Sequence, residues 1–106
     1  FVEEKDKEEM TFIAKNVVSG MFLASNEDIK SLYKKAFQII SESNNMEAIK
    51  NVAEDMVVKG NQYKQFGFDK VAITLMRTMI QDQKRVNLTN KDKNIAIIKT
   101  AMEKLL

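Results

Sequence analysis

The chain of 106 residues has no cysteine, no histidine and no proline, and only three glycines. Without cysteine or histidine it cannot build a thiolate or imidazole metal site, a Cys–His pair or a Ser–His pair. Neither a metal nor a cofactor is therefore expected, and disulfides take no part in the fold. The lack of proline and scarcity of glycine, with no clean alternation of β-branched and polar residues, favours an all-α chain. No apolar run approaches the roughly 18–20 residues that a membrane-spanning helix needs, so no membrane contact is expected. The chain opens Phe1-Val2-Glu3-Glu4-Lys5, without an initiator Met or a signal-peptide pattern. It reads as part of a longer cytoplasmic protein whose upstream portion is missing, with residues 1–106 forming one helical domain.

Apolar residues make up 44% of the chain, enough to build a core and too many for a disordered segment. Formal net charge is only +2, but it is spread unevenly. Residues 1–28 hold seven acids and three lysines, whereas residues 84–106 hold six bases and two acids. Such asymmetry can steer association between the ends of one molecule or of two, and it also suits solvated helix faces that differ in sign.

Residues 53–80 organise the rest. Val52, Ala53, Met56, Val57, Gly60 and Tyr63 recur at helical spacing, and so do Phe68, Val71, Ala72, Leu75, Met76, Met79 and Ile80. Between the two stripes lies the corner Phe66-Gly67-Phe68-Asp69, where Gly67 supplies the backbone freedom a tight reversal requires. Gly60 removes a side chain where a neighbouring helix must approach closely, at a cost of roughly 1 kcal/mol against alanine.

Five helices follow from the chain in order. The first begins near Met10, with Met10, Ile13, Ala14, Val17, Met21 and Ala24 on one stripe. Phe12, Val18, Phe22 and Leu23 widen that stripe, so the later part of this helix should be buried on most sides. Ser25 or Asn26 caps the second, which carries Ile29, Leu32, Tyr33, Ala36, Phe37 and Ile40. Asn44 with Glu47 suggests a cap for the third helix, from about Met46 to Phe66, and the fourth runs from Asp69 to about Arg85. Thr89 with Asp92 suggests the last cap, ahead of a stripe of Ile95, Ile98, Met102 and Leu105. The seven methionines adapt to irregular surfaces, but at helical spacing they read as core.

Gly60, Tyr63, Gly67 and Ala72 stand in the register of a tetratricopeptide repeat, and residues 53–80 resemble one. Met56 and Met79 replace an aromatic and a small residue of that pattern, and its closing proline is missing. Residues 26–80 further resemble the C-terminal domain of Rgg/MutR-type regulators of Gram-positive bacteria. The likeness rests on an acid-started amphipathic helix, the polar turn Ser41–Asn45, the Gly60/Tyr63 pattern, and Ile73, Met76 and Ile80. It implies a dimerising domain that senses a peptide or protein on a concave face, behind a DNA-binding half absent from this chain.

In such a repeat the inner face of the first helix meets an extended peptide. Here that implies Glu54, Val57, Asn61 and Lys64. Asn61 has an amide donor and acceptor for a ligand's main chain, and Lys64 can meet a carboxylate. The plainer reading makes Asn61 and Lys64 solvated and Val57 core.

Two other classes stay open: a self-contained small helical bundle, such as an immunity, phage accessory or scaffold protein, and a basic nucleic-acid-binding bundle. Lys84, Arg85, Lys91, Lys93, Lys99 and Lys104 make the last quarter basic. However, arginine is scarce and no aromatic follows Lys84, so base readout and stacking are poorly served. For catalysis Glu54, Asp55, Asp69 and Asp82 would need burial to shift them, and no paired-carboxylate spacing, phosphate loop or nucleophile motif occurs. A non-catalytic protein- or peptide-binding domain, dimeric by the resemblance, is the expectation.

Overall fold

The computed structural model describes residues 14–106, and these form helices joined by short turns, without a strand. Five α-helices follow one another: α1 (Val17–Leu23), α2 (Glu27–Ser41), α3 (Met46–Gln62), α4 (Phe68–Arg85) and α5 (Lys91–Glu103), with a 3₁₀ turn at Lys64–Phe66. The expected start of the first helix, with Met10, Phe12 and Ile13, lies outside the described residues. So do the acids of residues 3–9.

Local chemistry sets most boundaries. Asn26 caps α2, its Oδ1 accepting from the backbone N–H of Asp28 at 2.8 Å and of Ile29 at 3.2 Å. Glu27 and Asp28 complement the positive end of the helix. Asn45, rather than Asn44, caps α3 by accepting from the Ala48 N–H at 3.1 Å. Asn44 is used elsewhere: its Oδ1 accepts from the Asn90 N–H at 2.8 Å, and its carbonyl accepts from Asn90 Nδ2 at 3.0 Å. These bonds bring Asn90, not Thr89, to the N-cap position of α5. The third helix also ends four residues short of Phe66. The chain tightens into the 3₁₀ turn and reverses at Gly67, whose φ of +82° is left-handed.

The helices form two layers. α1, α3 and α5 make one, α2 and α4 the other. α1 packs on α2 and α3 on α4 as antiparallel hairpins; α3 lies between α1 and α5. No Cα of α5 comes within 8 Å of α1 or α2, so the stack has two distinct ends. Its principal extents are 41 × 30 × 20 Å, the shortest being two helix diameters.

The core runs between the layers. Val17, Val18, Phe37, Ile40, Ile49, Val52, Met56, Met76, Met79 and Ile98 are all buried there. Met56, Met76 and Met79 are thus interior packing. Gly60 marks a crossing: a Cβ there would stand 3.1 Å from both Leu105 methyls and 3.4 Å from Asp69 Cα. Gly20 marks another, with the Tyr33 ring lying flat where its side chain would be. Phe68 closes the hairpin corner, its ring centroid 5.1 Å from Phe22 and 5.4 Å from Tyr63.

Three stripes differ from expectation. Phe22 is only half-buried and Leu23 is exposed, because among the described residues α1 meets neighbours on two sides only. On α2, Phe37 and Ile40 are buried while Ile29 and Leu32 face solvent. On α5 the inner line is Asn94, Ile98 and Ala101, continued by Leu105 in the turn beyond the helix, with Ile95 and Met102 at its flanks. Asn94 turns inward because α4 offers it a partner.

That partner is Gln83, fully buried near the end of α4. Gln83 Nε2 donates to the Ser41 carbonyl at 2.6 Å and to that of Ser43 at 2.9 Å. Its Oε1 accepts from Asn94 Nδ2 at 3.1 Å. Beside it Arg85 pairs with Glu42 and, at 3.0 Å, with Asp82. Gln38 Nε2 donates to Glu42 at 2.8 Å. A polar clasp thus ties the α2–α3 turn to the end of α4 and the start of α5.

Candidate functional site

A shallow groove follows the seam between α3 and α5. Because α4 reverses the chain between them, these two helices run in the same direction. Small residues keep the seam open: Ala53 on α3, and Ala96, Thr100 and Ala101 on α5. One part, of about 300 Å³, is lined by these residues with Lys50, Glu54, Ile97 and Lys104. An adjoining part of about 350 Å³ extends along Met46, Glu47 and Asn51 and shares Lys50, Glu54 and Ile97. The floor is apolar, with Ala53 and Ala101 buried and Ile97 half-buried.

Four charged groups stand on this seam. Lys50 and Glu54, one turn apart on α3, approach to 4.0 Å, and both are well exposed. An exposed pair of this kind contributes no more than about 0.5 kcal/mol and can exchange its partner for a ligand's charge. Glu47 lies at one end and Lys104 at the other. Asn51 adds a polar atom without a bond, its Nδ2 being covered and unpaired. One turn on, Asp55 Oδ2 is likewise unpaired. Burial raises the Asp55 pKa above the ordinary carboxylate value, against a smaller opposing effect of Lys59.

Of the four residues expected to meet a peptide, the structure brings Glu54 into the groove. Val57 is half-buried and packs against the core. Asn61 is exposed in the last turn of α3, and Lys64 is exposed in the 3₁₀ turn. Neither lines the groove. Ile97 and Thr100, on the α5 side, are not marked by a helix pair that defines only one wall, and Lys104 stands out in the sequence only as part of the basic last quarter. The signal that marks them is the run of small residues, Ala96, Thr100 and Ala101, on one face of α5.

Among the described residues no three or more carboxylates cluster so as to hold a metal ion. Asp82, the one buried carboxylate of the four weighed for catalysis, is held by Arg85 and Gln38. No helix among the described residues is long and apolar enough to cross a membrane. Comparison with known proteins finds no matching family model, no matching curated protein and no matching solved structure.

Proposed function

We propose that this chain is a non-catalytic helical domain that binds a protein or peptide segment along the α3–α5 seam. The observation that carries the reading is the seam itself: two like-directed helices kept apart by small residues, with an apolar floor and ionisable rims. An extended segment would set an apolar side chain on Ile97, Ala53 and Ala101. Lys50, Glu54 and Lys104 would orient it through charge. These groups are suited to orientation rather than bond-breaking, since they include no nucleophile with an adjacent base. Most small-ligand and peptide sites have this composition, mainly apolar with a few placed polar groups.

The further reading is that the domain is the ligand-sensing and dimerising part of a cytoplasmic transcription regulator. It is supported by the tetratricopeptide-like register of Gly60, Tyr63, Gly67 and Ala72. Gly60 sits at a helix crossing, Gly67 is left-handed at the corner, and Tyr63 packs on Phe68. Asn61 and Lys64 would then contact a ligand long enough to leave the groove at the hairpin corner.

Peptides selected from a random display library on the immobilised chain test the site. Their affinity, read by fluorescence polarisation, should fall at least tenfold in Ala96→Trp and Thr100→Trp, which fill the groove from exposed positions. Binding unchanged in both variants would place the ligand elsewhere. Affinity should also vary little between 50 and 200 mM salt. A single-stranded oligonucleotide that bound more tightly than the peptides, and lost a thousandfold or more over that range, on the order of what several phosphate contacts give, would favour nucleic acid instead.

A further inference from the structure

At the opposite end of the stack α2 carries a second apolar line. Ile29, Leu32, Ala36 and Ile39 recur at spacings of three, four and three, the seam of two helical heptads. Ile29 is 44%, Leu32 64% and Ile39 60% exposed, although they belong to the same amphipathic helix that buries Phe37 and Ile40. The packed sides of α2 are accounted for: Tyr33 meets Gly20 of α1, and Gln38 and Ser41 meet α4. Among the described residues Ile29, Leu32 and Ile39 face none of these, Ala36 is half-buried at the edge of the core, and no charged residue interrupts the line.

We infer that this face is the surface on which a second copy of the chain associates, α2 against α2, antiparallel about a two-fold axis. The line is complementary to itself in that arrangement. Ile29 faces the second copy's Ile39, and Leu32 faces its Ala36, so each bulky leucine meets a small residue. No shift of register repeats that match. The three large side chains expose roughly 300 Å² of apolar surface per copy, a patch of the size that marks interaction sites. Two helices of about four turns laid side by side bury roughly 1,000 Å² in total, the lower bound for a specific interface. The dimer is accordingly weak, with a Kd in the micromolar range. Lys35 lies beside its own symmetry mate at the rim, so association strengthens modestly as salt screens that repulsion. Because α5 lies at the other end of the stack, both grooves stay open in the dimer, and the inference does not depend on what they bind.

Sedimentation equilibrium of the full chain over a range from about 1 µM to 1 mM tests this. The mean mass should climb from 12.2 kDa toward twice that value. Leu32→Glu should hold it at the monomer value with an unchanged circular dichroism spectrum, while Val58→Glu, at an exposed site on α3, should leave dimerisation intact. Since the chain has no cysteine, single substitutions report the geometry. A mixture of Leu32→Cys and Ala36→Cys should oxidise to a mixed disulfide dimer much faster than either variant alone, and this readout stands even if Leu32→Glu fails to fold. A monomer throughout the range, a dimer indifferent to Leu32→Glu in a folded variant, or equal cross-linking in all three samples would overturn the proposal.

Discussion

Gln83 offers the most demanding test of how the helices are held in register. Its replacement by methionine keeps the side-chain volume and removes all three of its hydrogen bonds. The Ser43 carbonyl is half-buried, and water can replace its bond. The Ser41 carbonyl and Asn94 Nδ2 have no such recourse, since both residues are fully buried. Leaving a buried polar group unpaired costs about 1–1.5 kcal/mol, so Gln83→Met should destabilise the fold by about 2–3 kcal/mol. Against a total of about 5–15 kcal/mol for a small domain that is a large share. With a urea m-value of about 1.5 kcal/mol/M, the midpoint followed by circular dichroism should fall by about 1.3–2 M. The double variant Gln83→Met/Asn94→Leu removes the stranded donor as well, and also Asn94 Oδ1, which is unpaired already. Its loss should be at least about 1 kcal/mol smaller than the sum of the two single losses. A Gln83→Met midpoint within experimental error of the parent, or strict additivity in the double variant, would refute the view that this buried amide pair is a cooperative unit.

Three further outcomes follow from individual contacts. Gly20→Ala places a methyl within the Tyr33 ring, so the ring must swing away; a loss of about 1–3 kcal/mol is expected, and Tyr33→Ala should relieve most of the added penalty in a thermal-unfolding cycle. Gly67→Ala meets no atom within 4 Å but forces a left-handed backbone on alanine, so it should cost about 1 kcal/mol, and Gly67→Asn less. Asp55 binds its proton more tightly in the folded chain than in the unfolded one, so stability should be greatest below the unfolded carboxylate pKa. It should then decline as pH rises from there through the raised folded value. Asp55→Asn should abolish that slope and stabilise the fold at pH 7, and an unchanged pH profile in chemical denaturation would contradict the assignment.

The sequence by itself determined the helices and the core methionines. Periodicity and capping chemistry are local, so a cap at Ser25 or Asn26, the reversal at Gly67 and the burial of Met56, Met76 and Met79 were legible from residue types and spacing. Gly60 was legible as a point of close approach, though not that Leu105 is what approaches. Tertiary structure decided everything that requires two distant segments. Asn44 and Asn45 are both good caps, and only the position of Asn90 determines which one serves α3. Asn94 and Gln83 are polar by any scale, yet each is buried because the other, with the turn carbonyls, satisfies it. Ile29 and Leu32 look like core, yet they stay exposed because α1, α3 and α4 fill the other sides of α2. The groove was half legible for the same reason: Glu54 could be read from one helix, but its opposite wall exists only once α5 packs alongside α3.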